Sequence, residues 1–151
     1  METWIRIAWT DACLRNSTFA ALTLFFIGCG RETRTKVYPV SGSVSHAGAP
    51  AAGAKIVFYI DDRQDPRTPF PSAVTQDDGT FRLTSYEEGD GAPAGTYRVT
   101  VQWFDPIPPG VHKESYSPVD RLRDKYATPD KSNIKVTVAE GENQLTPFEL
   151  K

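Results

Sequence analysis

Residues 96–103 read Thr96-Tyr97-Arg98-Val99-Thr100-Val101-Gln102-Trp103. Tyr97, Val99, Val101 and Trp103 are apolar, and Thr96, Arg98, Thr100 and Gln102 between them are polar. Side chains of a strand point alternately to its two faces, so this period of two predicts a β-strand with one buried and one wet face. The same period recurs in Phe81/Leu83 against Arg82/Thr84 and in Ile134/Val136/Val138 against Lys135/Thr137. Ala54 to Ile60 is apolar on both phases, as expected of a strand crowded on both sides. Val37 to Val44 supplies an opening strand whose Pro39 and Gly42 place it at a sheet edge. Ser72–Thr75 and Phe148/Leu150 add two short strands.

Turn residues separate these runs. Gly48-Ala49-Pro50-Ala51-Ala52-Gly53 joins the first two strands, Asp77-Asp78-Gly79 precedes Phe81, and Ala139-Glu140-Gly141-Glu142-Asn143 joins the last two. No 3.6-residue period survives in residues 37–151; Val119–Tyr126 makes one short turn at most. About seven short strands with turns between them predict an all-β chain folded as a single antiparallel Greek-key β-sandwich, Ig-like in architecture.

Composition narrows the function classes. The chain has 151 residues, 17 Lys+Arg against 19 Asp+Glu, 12 Pro, 11 Gly, 2 Cys and 2 His. A net charge of −2 with no basic block leaves no electrostatic footprint for nucleic acid. Two cysteines make no disulfide framework, and two isolated histidines argue against zinc. No cofactor-binding motif occurs: there is no Walker loop, no Gly-Xaa-Ser-Xaa-Gly elbow and no His-Glu-Xaa-Xaa-His helix.

All twelve prolines follow Cys29, which marks a boundary between two regimes. Phe19 to Ile27 is uncharged and apolar, with Arg6 and Arg15 on its N-terminal side. Nine such residues are too few to span the ~20-residue depth of a membrane but suit the core of an export signal. A short buried or amphipathic helix is the alternative. Phe26-Ile27-Gly28-Cys29-Gly30 then resembles the lipobox of bacterial lipoproteins, with Phe26 where that pattern prefers Leu. The resemblance implies cleavage before Cys29 and diacylglycerol on its thiol; an ordinary cleavage site beside a free Cys is the competing reading. Two or more acyl chains hold a protein on a membrane almost permanently, where one gives marginal binding. The expected organisation is a signal peptide over residues 1–28, a flexible tether over 29–36 and a β-domain over 37–151. The resemblance implies a product exported to the cell envelope and anchored to a membrane through its N-terminal lipid.

Four segments of the β-domain occur in a recognisable order: Val40-Ser41-Gly42-Ser43-Val44, Gly48-Ala49-Pro50-Ala51-Ala52-Gly53-Ala54, Asp77-Asp78-Gly79-Thr80-Phe81-Arg82-Leu83 and Gly95-Thr96-Tyr97-Arg98-Val99-Thr100-Val101. Together they resemble the carboxypeptidase regulatory-like, transthyretin-like domain family over roughly residues 37–150. The tail, with Lys125-Tyr126-Ala127 and Val136-Thr137-Val138 before Gly141-Glu142-Asn143, resembles small bacterial envelope lipoproteins that carry such a domain. The resemblance implies a prealbumin-like sandwich and a non-catalytic binding or structural role in the envelope. The partner class is an envelope protein or a polysaccharide.

Trp103 and Phe104 at a strand end, with Tyr116 and Tyr126 in the following loop, form a set of aromatics able to stack on sugar rings or a partner. Plugging of the core by the same loop is the plainer reading. That loop, Asp105–Lys131, holds five prolines and is long for a compact domain, which marks it as the first binding candidate. The Tyr86–Ala94 loop is the second. Its Glu87, Glu88 and Asp90 with Gly89 and Gly91 offer oxygens to a calcium ion, or form a solvated acidic turn. Tyr97, two residues after Gly95, suits a tyrosine corner tying the hydroxyl to backbone. His46 before Gly48-Ala49-Pro50 is faintly similar to the opening of hydroxyisourate hydrolases, but the Tyr-Arg-Gly-Ser ending of those enzymes is replaced by Phe148-Glu149-Leu150-Lys151. An exposed turn histidine is the expectation.

Overall fold

A computed structural model of the protein describes residues 34–61, 68–112, 114 and 116–151. The expected signal peptide, Cys29 and the tether up to residue 33 lie outside the described residues. The described chain is all-β. Its strands are β1 (Val37–Tyr38), β2 (Val40–His46), β3 (Ala49–Pro50), β4 (Lys55–Ile60), β5 (Ser72–Val74), β6 (Thr80–Arg82), β7 (Ala92–Pro93), β8 (Gly95–Gln102), β9 (Lys135–Val138), β10 (Asn143–Gln144) and β11 (Phe148–Leu150). The seven with three residues or more answer to the seven strands expected from the sequence; β1 is the first part of the expected opening strand Val37–Val44, and the two-residue strands β3, β7 and β10 are additional.

The stretch Thr96–Gln102 is the spine of a four-stranded antiparallel sheet in the order β5-β4-β8-β9. Strand β4 pairs with β8 from Lys55↔Gln102 to Ile60↔Tyr97, and β9 pairs with its other edge from Gly95↔Val138 to Arg98↔Lys135. The second sheet has five strands organised about β2. Strands β6 and β3 pair with β2 antiparallel, while β10 and β11 pair with it parallel. The short ladder β1–β7 leads into both sheets.

Two expectations change here. The sequence predicts the opening strand at an edge, yet β2 is central to its sheet. Pro39 falls in the break between β1 and β2, where its carbonyl accepts the Asn143 N–H at 2.9 Å and its missing N–H interrupts nothing. Gly42 is a packing choice: a Cβ there would meet the Phe81 ring at 2.8 Å. The pairing is also not uniformly antiparallel. After the turn at residues 139–142 the chain returns beside β2 in its own direction, so β10 and β11 run parallel to it.

Both sheets feed one core, a sandwich-like arrangement. Val40, Val44, Phe81, Phe148 and Leu150 from the first meet Ile56, Phe58, Tyr97, Val99, Val101 and Val138 from the second in a single buried cluster. The Phe58 and Tyr97 rings lie 5.7 Å apart and tilted, and Phe81 stacks near Phe148 at 5.9 Å. Each such side chain contributes ~1.5–3 kcal/mol when fully buried. Tyr97 is completely buried, and its hydroxyl donates to the Pro93 carbonyl at 2.7 Å, which is the tyrosine corner expected from the sequence. Burial pushes its phenol pKa up to about 12. Asp77-Asp78-Gly79 makes the expected turn. The Asp78 carboxylate accepts the Thr80 hydroxyl at 2.6 Å and the Thr80 N–H at 2.9 Å, and these bonds hold its pKa below the usual value.

Candidate functional site

Strand β8 ends at Gln102, and from there the chain makes a loop whose two halves behave differently. The return half is pinned by Asp120, which is buried. Its carboxylate accepts the N–H of Trp103 at 2.9 Å, of Leu122 at 3.1 Å and of Asp124 at 3.1 Å. The Arg121 N–H adds a 2.8 Å bond to the Trp103 carbonyl, and Phe104 bridges to Asp120. Leu122 drops into the core, and the Tyr126 carbonyl accepts the Val101 N–H at 3.0 Å. The buried Ser132 hydroxyl donates to the Val99 carbonyl. Residues 120–134 are thereby fastened along β8.

Trp103 belongs to this fastening. Its indole N–H donates to the Ala52 carbonyl at 2.7 Å, one face lies 4.0 Å beneath the Arg121 guanidinium, and His46 sits tilted at 5.9 Å. Arg121 also reaches Asp105 at 3.3 Å. Tyr126 is half-buried against the core, its hydroxyl accepting the Lys151 N–H at 3.3 Å. The four aromatics singled out from the sequence therefore divide. Trp103 and Tyr126 plug the domain; Phe104 and Tyr116 line an open cleft of about 250 Å³ with Asp105, Ile107 and Pro118. Adjacent strand residues point to opposite sides, which is why Trp103 goes inward and Phe104 outward.

The outgoing half of the loop, around this cleft, stays in solvent. Ile107 and Val111 are each 42% exposed and Val119 is 75% exposed, with Pro106, Pro108 and Pro109 between them at the surface. Large apolar side chains grouped on one exposed arm are a surface feature that normally has a use.

The acidic loop is organised differently from a cation site. The Asp90 carboxylate turns inward and accepts backbone N–H groups of Ser85 at 2.7 Å and of Tyr86 and Glu87 at 3.0 Å each. Partial burial pushes its pKa up, and the three N–H bonds outweigh this and leave it lowered. The Gly89 N–H bonds the Thr84 hydroxyl at 3.0 Å, and Ser85 donates to the Gly91 carbonyl at 2.7 Å. Glu87 pairs with Arg34 at 3.2 Å, while Glu88 is exposed beside a different cleft. Glu87, Glu88 and Asp90 are thus not brought together, and no group of three metal-ligating side chains is gathered among the described residues.

Arg34 also stacks on Tyr86 at 5.3 Å, and the Thr35 N–H reaches the Tyr86 hydroxyl at 3.2 Å. The last residues of the segment expected to be a free tether are therefore tied down on this loop. His46 corrects a second expectation: it closes β2, half-buried beside Trp103, and is not a turn residue. His112 lies on the exposed arm. The sequence reading missed Asp120 and Arg121, whose roles depend on the loop folding back on itself.

The class defined by these features is an all-β domain whose long β8–β9 connection is half fastened and half displayed. No protein-family model and no curated protein matches the chain. Among solved structures it is similar to a DUF3823 family protein from Parabacteroides merdae ATCC 43184, at 17% identity and a TM-score of 0.40 over 78% of this chain. It is also similar to a 9R-lipoxygenase from Cyanothece PCC8801, at 12% identity and a TM-score of 0.40 over 76% of this chain. The chain spans about half of the first protein, 47%, and 16% of the second.

Proposed function

We propose that the chain is an exported, lipid-anchored β-domain acting as a non-catalytic binding module of the cell envelope, of the carboxypeptidase regulatory-like type. The observation that carries the binding role is the displayed arm. Phe104, Ile107, Tyr116 and Pro118 form an open apolar cleft on a loop whose root is fastened by Asp120. Such a cleft on a rigid support suits recognition, since little order has to be created on binding. The anchor rests on the apolar run Phe19–Ile27 and the lipobox-like ending at Cys29. The ring neighbour of His46 among the described residues is Trp103, an aromatic side chain that suits packing.

A polysaccharide is the second occupant class. Phe104 and Tyr116 are its favouring observation, because aromatic faces stack on sugar rings and Asp105 stands beside them to accept hydroxyls. Titration of the full chain with purified envelope polysaccharide and with envelope protein extract separates the two. Saturable binding to one, lost in both Phe104→Ala and Tyr116→Ala at unchanged thermal stability, supports the module and names its class. Binding untouched by either substitution removes the cleft from the reading. Labelling with radioactive palmitate tests the anchor, since incorporation has to vanish in Cys29→Ser.

A further inference from the structure

Both long strands of the domain start at the end where Arg34 and Thr35 are held and run away from it. Arg34 and Thr35 are held on the Tyr86–Glu87 segment. Val37–Tyr38 pairs with Ala92–Pro93, immediately before Gly95 opens β8. The Ala139–Asn143 turn lies at the same end, because Val138 pairs with Gly95 and the Asn143 N–H reaches the Pro39 carbonyl. From this end β2 runs through seven residues to His46, and β8 through eight to Gln102. At ~3.3 Å per residue β8 alone carries the chain about 26 Å. The two strands finish together: His46 lies 5.9 Å from Trp103, with Ala52 beside it. The cleft of Phe104, Ile107, Tyr116 and Pro118 follows directly on Trp103.

We infer that the anchored domain stands on the membrane by the end bearing the Tyr86–Asp90 loop and presents the Phe104–Pro118 cleft to the aqueous side. The lipid-facing surface is the Arg34–Glu87 clamp with the Tyr86–Asp90 loop beside it. The inference rests on the lipid-anchor reading. From Cys29 to Arg34 the backbone reaches at most about 18 Å, less than the length of β8, so the far end meets the bilayer only if the domain tips over completely. The clamp keeps that tether short, because Arg34 is held on Glu87 and Tyr86 and adds no further reach. The partner is accordingly a molecule of the aqueous envelope space, engaged away from the headgroups.

The test uses the full lipidated chain in phosphatidylcholine vesicles, with a fluorophore on Glu88→Cys or on Val119→Cys. Both side chains are exposed, Val119 stands next to the pinned Asp120, and Cys29 is blocked by its lipid. A quencher carried on lipid headgroups is expected to quench the label at position 88 at least threefold more strongly than the label at position 119. Equal or reversed quenching in protein that floats with the vesicles overturns the orientation and leaves the anchor standing. Protein that fails to float overturns both.

Discussion

The Asp120 carboxylate accepts the backbone N–H of Trp103 at 2.9 Å, across 17 residues of chain. The same carboxylate takes the N–H groups of Leu122 and Asp124, so one side chain closes the loop and caps its first return turn. Without it the displayed arm has no fixed root. Leaving a buried donor unmade costs ~1–3 kcal/mol. Asp120→Ala is therefore expected to destabilise the domain by about 3 kcal/mol, and Asp120→Asn by about half as much, since the amide oxygen retains part of the bonding. A urea midpoint lowered at unchanged slope reads this directly. A midpoint within error of the parent contradicts the assigned role.

Trp103 is the only tryptophan outside residues 1–28, so in a chain shortened to begin at residue 29 its fluorescence reports the base of the arm without interference. The Arg121 guanidinium shields one face at 4.0 Å, while the Ala52 carbonyl holds the indole N–H. Arg121→Ala is expected to shift the emission to longer wavelength and to increase acrylamide quenching about twofold. The stability loss stays near ~0.5–1 kcal/mol, as for a solvent-accessible cation–π pair. An unchanged spectrum shows that the stacked geometry does not persist in solution.

Much of the fold was legible because a strand's period of two survives any tertiary context that leaves one face wet. Thr96–Trp103, Phe81/Leu83 and Val136/Val138 follow their alternation except at Thr100, which belongs to the polar face yet is buried, because β8 is an inner strand of its sheet. The Tyr97 corner was legible for a related reason: a buried phenol has to place its hydroxyl on a nearby carbonyl, and Pro93 is four residues back. What failed was information that local sequence does not carry. Pro39 reads as an edge signal until it is seen to fall between two strands, and parallel pairing of β10 and β11 with β2 is set by the route of the chain. Asp120 is one acidic residue in a polar loop, indistinguishable from Asp124 or Asp130 until the loop closes. The aromatic set is visible in the sequence, but its division into inward and outward members follows from the pleat at the end of β8.

The buried phenol of Tyr97 makes stability depend on alkaline pH in a defined direction. Its pKa is about 12 in the folded protein and near 10 when exposed, so between these values the native state binds the extra proton. The stabilisation is fully present below pH ~10 and falls as pH rises through ~12. Tyr97→Phe is expected to lose about 1 kcal/mol at neutral pH with the Pro93 bond. It is also expected to flatten the alkaline limb. Thermal unfolding of both proteins from pH 8 to 12 reads the two effects separately, and parallel limbs refute the assignment to Tyr97.

Asp90, three residues before Pro93, sets the opposite dependence at the same end of the domain. Partial burial alone raises a carboxyl pKa, but the N–H groups of Ser85, Tyr86 and Glu87 outweigh it, so the folded value lies below 3.8. A group lowered on folding stabilises above its unfolded pKa and loses that contribution as pH falls through the folded one. Order in the Tyr86–Asp90 loop is therefore expected to hold from neutral pH down to about 4 and to fade below it. Asp90→Asn removes the charge at every pH and is expected to loosen the loop already at neutrality. Amide hydrogen exchange at Ser85, Tyr86 and Glu87 is the measurement, because these N–H groups are the ones the carboxylate holds. Protection in the parent that drops only on acidification, beside low protection in Asp90→Asn throughout, is the expected pattern. Because Glu87 and Tyr86 also hold Arg34, the same acid range should release the incoming chain. Equal protection in the two proteins at neutral pH would show that the backbone turn stands without the carboxylate.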